Sequence, residues 1–135
     1  MQLYDNDLVS IQETRILLKN AYEAQKKISA LNQEEIDKIV AAVSKAAQEN
    51  AQKLAKMANE ETGYGIYEDK ILKNMFAAKN VYDAIKNQKT VGIIAHDLDK
   101  KTIDIGVGVG VIAGIVPSTN PTSTVIYKTL IALKG

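Results

Sequence analysis

Two hydroxyls and an amide, Ser118, Thr119 and Asn120, stand between Pro117 and Pro121, and three more hydroxyls follow at Thr122, Ser123 and Thr124. A hydroxyl donates and accepts, and an amide offers two donors and one acceptor, so this turn can hold a polar ligand by several hydrogen bonds at once. Apolar helical spacing resumes beyond Pro121, which puts the turn at a helix N-terminus. Unpaired backbone N–H groups and the positive end of the helix dipole there favour an anion or an electron-rich carbonyl. The same residues also suit a purely structural use, with Asn120 as N-cap, Pro121 at the first helical position and the hydroxyls bonding free N–H groups. Both uses remain open from the residues alone.

Other chemistry is sparse. The chain has no cysteine, which excludes disulfides, thiolate metal sites and thiol nucleophiles within these residues. The single histidine, His96, cannot build a histidine zinc site, and no metal is expected. Lying in a predicted hairpin, it is also too remote to complete a hydrolase triad with the hydroxyls. Glu60 and Glu61 face Glu68 and Asp69 across the break at Gly63, Tyr64 and Gly65, and paired acids near a loop can act as general acid and base. Solvated helix ends are the simpler reading. Gly108, Gly110 and Ala113 fit the dinucleotide fingerprint G-x-G-x-x-G/A in spacing. Its context is wrong, because those glycines precede a strand instead of following one and opening a helix.

The elements that must position the turn follow from periodicity. Leu8, Ile11, Leu18, Ala21 and Ile28, with Leu17 and Tyr22 widening the stripe, predict a helix over residues 7–28. Asn32 and Glu35 form a capping-box pair; Ile36, Ile39, Val40, Val43, Ala47, Leu54 and Met57 then predict one long helix that stops at Gly63. A third helix over residues 67–86 carries Ile71, Leu72, Met75, Phe76, Tyr82 and Ile85 on one side. From Thr90 the pattern becomes a β-hairpin: Val91, Ile93 and Ile94, a polar turn over residues 96–101, then alternation through residues 102–105. Gly106, Gly108 and Gly110 recur at every second position, as at a bend or a close backbone approach. Residues 111–116 are uniformly apolar apart from Gly114, which predicts a strand buried on both faces of a parallel sheet. A last helix runs from Pro121 through Lys134, with Gly135 as its C-cap. A polar turn between such a strand and such a helix is where α/β proteins place ligands.

Composition narrows the function classes. The 135 residues are 46% hydrophobic and 24% charged, an ordinary globular balance for one domain or part of one. Seventeen basic and 16 acidic residues leave a net charge of +1 with no basic patch, which argues against nucleic acid as a partner. No apolar run approaches the roughly 20 residues of a membrane helix. The acidic start lacks a signal core, so the expected location is cytoplasmic.

At the turn, GVIAGIVPSTNPTST over residues 110–124 resembles the CoA-acylating branch of the aldehyde dehydrogenase superfamily, which includes the aldehyde domain of bifunctional alcohol/aldehyde dehydrogenases. EETG over residues 60–63 and YEDKILKN over residues 67–74 support the resemblance, which extends over essentially the whole chain. It implies an α/β, aldehyde dehydrogenase-like fold. Residues 1–90 would be the N-terminal helical part of the cofactor-binding domain, residues 91–109 a hairpin of the oligomerisation region, and residues 110–135 the first strand, turn and helix of a Rossmann-like sheet. The implied reaction interconverts a short aldehyde, expected to be acetaldehyde, and its acyl-CoA. A cysteine thiolate attacks the aldehyde, hydride passes to NAD, and CoA releases the thioester.

Ile115, Val116, Pro117, Ser118 and Thr119 match positions lining the nicotinamide side of the cofactor. In the wider superfamily the sequence Pro-Trp-Asn-Phe-Pro supplies an asparagine that donates to the oxyanion, a contact of roughly 3 to 4 kcal/mol in the transition state. Counted from Pro117, the matching position is Thr119, and Asn120 comes one residue later. Asn120 is the candidate donor and Thr119 the alternative. The family's cysteine, its ribose-contacting lysine and its glycine-rich phosphate turn are expected beyond Gly135, so the chain alone is expected to be inactive. For the complete enzyme the implied partners are a small aldehyde, an acyl-CoA and further copies of itself. The alternative to an enzyme segment is a non-catalytic helical and hairpin assembly module, or an inactive gene remnant.

Overall fold

The computed structural model describes residues 5–135. Six α-helices and a two-stranded antiparallel sheet follow one another as α1 (Asn6–Ile28), α2 (Gln33–Glu49), α3 (Ala51–Thr62), α4 (Tyr67–Met75), a π-helical turn (Phe76–Asn80), α5 (Val81–Ile85), β1 (Gly92–Asp97), β2 (Thr102–Gly106) and α6 (Pro121–Lys134).

Cap chemistry sets the start of α2. The Asn32 side chain accepts from the Glu35 N–H at 3.0 Å while the Glu35 carboxylate accepts from the Asn32 N–H at 2.9 Å, so two end donors are satisfied reciprocally. The long helix predicted to follow is broken at Asn50, whose φ of −104° and ψ of 4° lie off the helical values and divide α2 from α3. Gly63 stops α3 in the left-handed conformation at φ 66°, where its missing side chain avoids the usual strain.

The core lies where α6 crosses α2 and the π turn. Ile36, Val40 and Ala47 of α2, Ala77 and Ala78 of the π turn, and Ile126 and Leu130 of α6 form one buried cluster. The third predicted helix is present, interrupted by the π turn, and its predicted apolar side is only partly covered: Tyr82 and Ile85 pack against the core. Lys70, Asn74, Ala77 and Ala78 are buried, whereas Leu72 and Phe76 point outward. Met57 of α3 is likewise exposed, and the small residues Ala51, Ala55 and Ala58 take the inner face. Along α1, Leu8, Ile11, Leu17, Leu18 and Tyr22 are exposed, and Ile28 at its end packs against the core.

Gln33 ties the helical layer to the hairpin, its side-chain oxygen accepting from the N–H groups of Thr90 at 2.8 Å and Val91 at 2.9 Å. β1 and β2 pair from Gly92 opposite Gly106 to Asp97 opposite Thr102, with an irregularity between Ile93 and Ala95. His96 is in β1 opposite Ile103 and not in the polar turn. The Asp97 carboxylate accepts from the N–H groups of Asp99 and Lys100, which shapes that turn; the Lys100 backbone and side chain hold the carboxyl below its ordinary range. The predicted close approach is real at Gly106, where a Cβ would stand 2.1 Å from the Thr90 carbonyl oxygen.

The strand predicted over residues 111–116 does not form. That segment enters no ladder, and Val111, Ile112, Ile115 and Val116 are exposed. Its composition suits a strand with neighbours on both edges, but the two strands among the described residues pair only with each other.

Candidate functional site at the turn before the last helix

Asn120 occupies the N-cap position of α6 and Pro121 the first helical one. The backbone part of the cap is made, the Asn120 carbonyl accepting from the Thr124 N–H at 3.3 Å. Its side chain makes no cap bond. The Asn120 oxygen Oδ1 instead accepts from Lys73 Nζ at 3.1 Å, and its Nδ2 reaches only Thr119 Oγ1, at 3.5 Å. The amide therefore has a held end and a nearly free one.

α4 supplies most of the support. Lys70, 4% exposed, donates from Nζ to the Thr119 carbonyl at 2.9 Å. Buried Asn74 donates to the Ala51 carbonyl at 3.0 Å and accepts from the Thr122 hydroxyl at 2.8 Å, joining the start of α3 to the first turn of α6. Lys70, Lys73 and Asn74 lie at spacings of three and four on one helix side, so all three reach the same turn. From the other direction, Lys128 donates to the Ile115 carbonyl at 2.6 Å.

Ser118 and Thr119 are exposed, as are Ile115, Val116 and Pro117. An open groove lined by Leu72, Phe76, Ala77, Ser123, Thr124 and Tyr127 runs along the junction of α4 and α6. The acids Glu60, Glu61, Glu68 and Asp69 are solvated and build no constellation with the turn; Glu60 pairs with Lys56 at 3.8 Å. His96 is exposed on the hairpin. Among the described residues no group of three metal-ligating side chains comes together. No described helix is long and apolar enough to cross a membrane. Nothing in the local pattern of residues 67–74 marks the contacts of Lys70, Lys73 and Asn74 with residues 119, 120 and 122, which join positions 47 to 49 apart.

The chain matches the aldehyde dehydrogenase family over residues 7–135. It belongs to that family. The backbone overlays the crystal structure of an acetylating aldehyde dehydrogenase from Geobacillus thermoglucosidasius with a TM-score of 0.95 and 57% identity, covering 98% of this chain and 29% of that one. Among curated aldehyde dehydrogenase relatives, the bifunctional aldehyde-alcohol dehydrogenase of Escherichia coli K12 is 44% identical over 127 residues, 94% of this chain and 14% of that protein. The acetylating succinate-semialdehyde dehydrogenase of Clostridium kluyveri is 39% identical over the same share of this chain and 27% of its own. The chain thus spans less than a third of each. The fold is that of an aldehyde dehydrogenase segment, and two of these three relatives are named acetylating.

Proposed function

We propose that the chain is the N-terminal part of an NAD-dependent, CoA-acylating aldehyde dehydrogenase, with acetaldehyde and acetyl-CoA as the reacting pair. What carries the reading is the 57% identity to an enzyme described as acetylating, maintained over 98% of this chain with a matching backbone. The catalytic cysteine belongs to the remainder of the protein, since none occurs in these residues. Residues 91–109 serve assembly into oligomers, and residues 110–135 open the nucleotide-binding sheet.

The residues fit one edge of a nicotinamide cofactor. Exposed Ile115, Val116 and Pro117 offer an apolar surface for a flat ring, and Ser118 and Thr119 add polar contacts beside it. When bound, the cofactor supplies hydride acceptance, or donation in the reverse direction. The chain's own part is to hold the turn still and to present a hydrogen-bond donor. Asn120 is that donor, because the one neighbour of its Nδ2, Thr119 Oγ1 at 3.5 Å, is readily replaced. A donor already aimed where negative charge develops on the substrate oxygen stabilises the transition state without reorganisation.

The test is acyl-CoA-dependent oxidation of NADH by the full-length protein; absence of that activity would reject the reading. Within an active enzyme, Asn120→Ala should lower kcat about 100- to 1,000-fold with little change in KM. Unchanged turnover would remove Asn120 from the role and leave Thr119 as the donor to examine.

A further inference from the structure

We infer that Lys73 is a positioning residue whose ammonium group fixes which end of the Asn120 amide faces the ligand, while Lys70 anchors the backbone on which that amide sits. The inference rests on the reading of Asn120 as a donor to substrate and adds what aims it.

The partners of the Asn120 amide are asymmetric. An ammonium group carries donors only, so the amide atom 3.1 Å from Lys73 Nζ must be the oxygen. Once Oδ1 is held on α4, the planar amide points its NH₂ away from Lys73. Without Lys73 the two amide ends become nearly equivalent, and a flipped amide would set an oxygen against the developing negative charge of the substrate.

Lys70 acts one residue earlier and on the main chain. Its Nζ meets the Thr119 carbonyl at 2.9 Å from a nearly buried side chain, so the peptide linking Thr119 to Asn120 is held where the Asn120 Cα must start. Asn74 fixes the following turn through Thr122. Three side chains of one helix therefore hold residues 119, 120 and 122 in sequence, and only Lys73 touches the amide itself. Lys73 is solvent-exposed, which separates its role from folding.

The experiment uses the full-length enzyme with Lys73→Met, Lys73→Arg, Asn120→Ala and the Lys73→Met/Asn120→Ala double variant. Lys73→Met should lower kcat about tenfold with KM values within about twofold, since a mis-set donor is felt in the transition state. Lys73→Arg, which still only donates, should recover most of the loss. In the Asn120→Ala background Lys73→Met should cost nothing further, because the group it aims is gone. A Lys73→Met enzyme with normal kcat where Asn120→Ala is impaired, or one whose loss persists undiminished in the Asn120→Ala background, overturns the inference.

Crystal structures of the wild-type and Lys73→Met enzymes provide the second measurement. Asn120 should keep Oδ1 on Lys73 in the first and turn or flip in the second; an unmoved amide overturns the inference. If Asn120→Ala is itself silent in turnover while the amide still moves in Lys73→Met, the donor reading fails and the clamp stands.

Discussion

Lys134 is nominally a last-turn cation of α6, yet its side chain is only 3% exposed, with Nζ donating to Asp37 Oδ1 at 2.5 Å and to the Lys86 carbonyl at 3.2 Å. A buried ammonium group needs its partners more than they need it, so the two halves of this pair should not be equivalent in loss. Asp37→Asn strands the charge and should destabilise the chain by about 2 kcal/mol, read as a lower urea midpoint; Lys134→Met, which removes the charge and keeps the apolar stem, should cost less. The hydrogen bond from Lys134 holds the Asp37 carboxyl below its ordinary 3.8. Because the folded state favours the ionised form, this contribution is complete above the ordinary carboxylate range and disappears as pH falls through and below it. The wild-type advantage over Asp37→Asn should therefore be full at pH 7 and shrink by pH 3; a pH-independent difference would contradict the pairing. The sequence revealed the residue chemistry wherever it was local. The Asn32 and Glu35 box, the Gly63 stop and the place of Asn120 and Pro121 all follow from neighbours within four positions. The bonds from Lys70, Lys73 and Asn74 to the turn span 47 to 49 positions and arise only once α4 and α6 pack, so no local pattern reports them.

At the scale of elements, the π turn between α4 and α5 explains why the apolar stripe predicted for the third helix failed as a single face. Val81 N–H bonds the Phe76 carbonyl five residues back, so the helix carries an extra residue there and its face slips. Tyr82 and Ile85 beyond the turn pack against the core, whereas Leu72 before it and Phe76 at its first position face outward. Periodicity assumes a constant 3.6 residues per turn and has no means of marking the slip. A serine of α2 meets this irregular stretch: the buried Ser44 hydroxyl donates to the Ala78 carbonyl at 2.7 Å and accepts from Gln48 Nε2 at 3.0 Å. Ser44→Ala leaves a buried carbonyl without that donor and should lower stability by about 1 to 3 kcal/mol. Amide hydrogen exchange should quicken most over residues 76–85. Uniform quickening across all helices instead would mean that Ser44 supports the core in general and not the π turn.

For the whole molecule, the apolar surface left open is unevenly placed. α1 leaves Leu8, Ile11, Leu17, Leu18 and Tyr22 exposed, and along residues 107–116 exposure reaches 80% at Val107, 83% at Val109 and 85% at Ile115. The sequence made the interior character of residues 111–116 legible, because a run of Val and Ile is what a doubly covered strand needs. It could not say whether a neighbour was present, since burial belongs to the assembly of strands and not to the strand itself. Contiguous exposed apolar surface drives association, and an unpaired extended segment offers backbone N–H and C=O groups to another chain. The 135-residue chain should therefore self-associate as its concentration rises, seen as a growing sedimentation coefficient. Replacing Val107, Val109 and Ile115 together by Ser should suppress that association and leave thermal stability of the dilute chain nearly unchanged, because those side chains bury little within it. A large fall in Tm would mean that they are covered in the folded chain, and unchanged association would move the adhesive surface to α1.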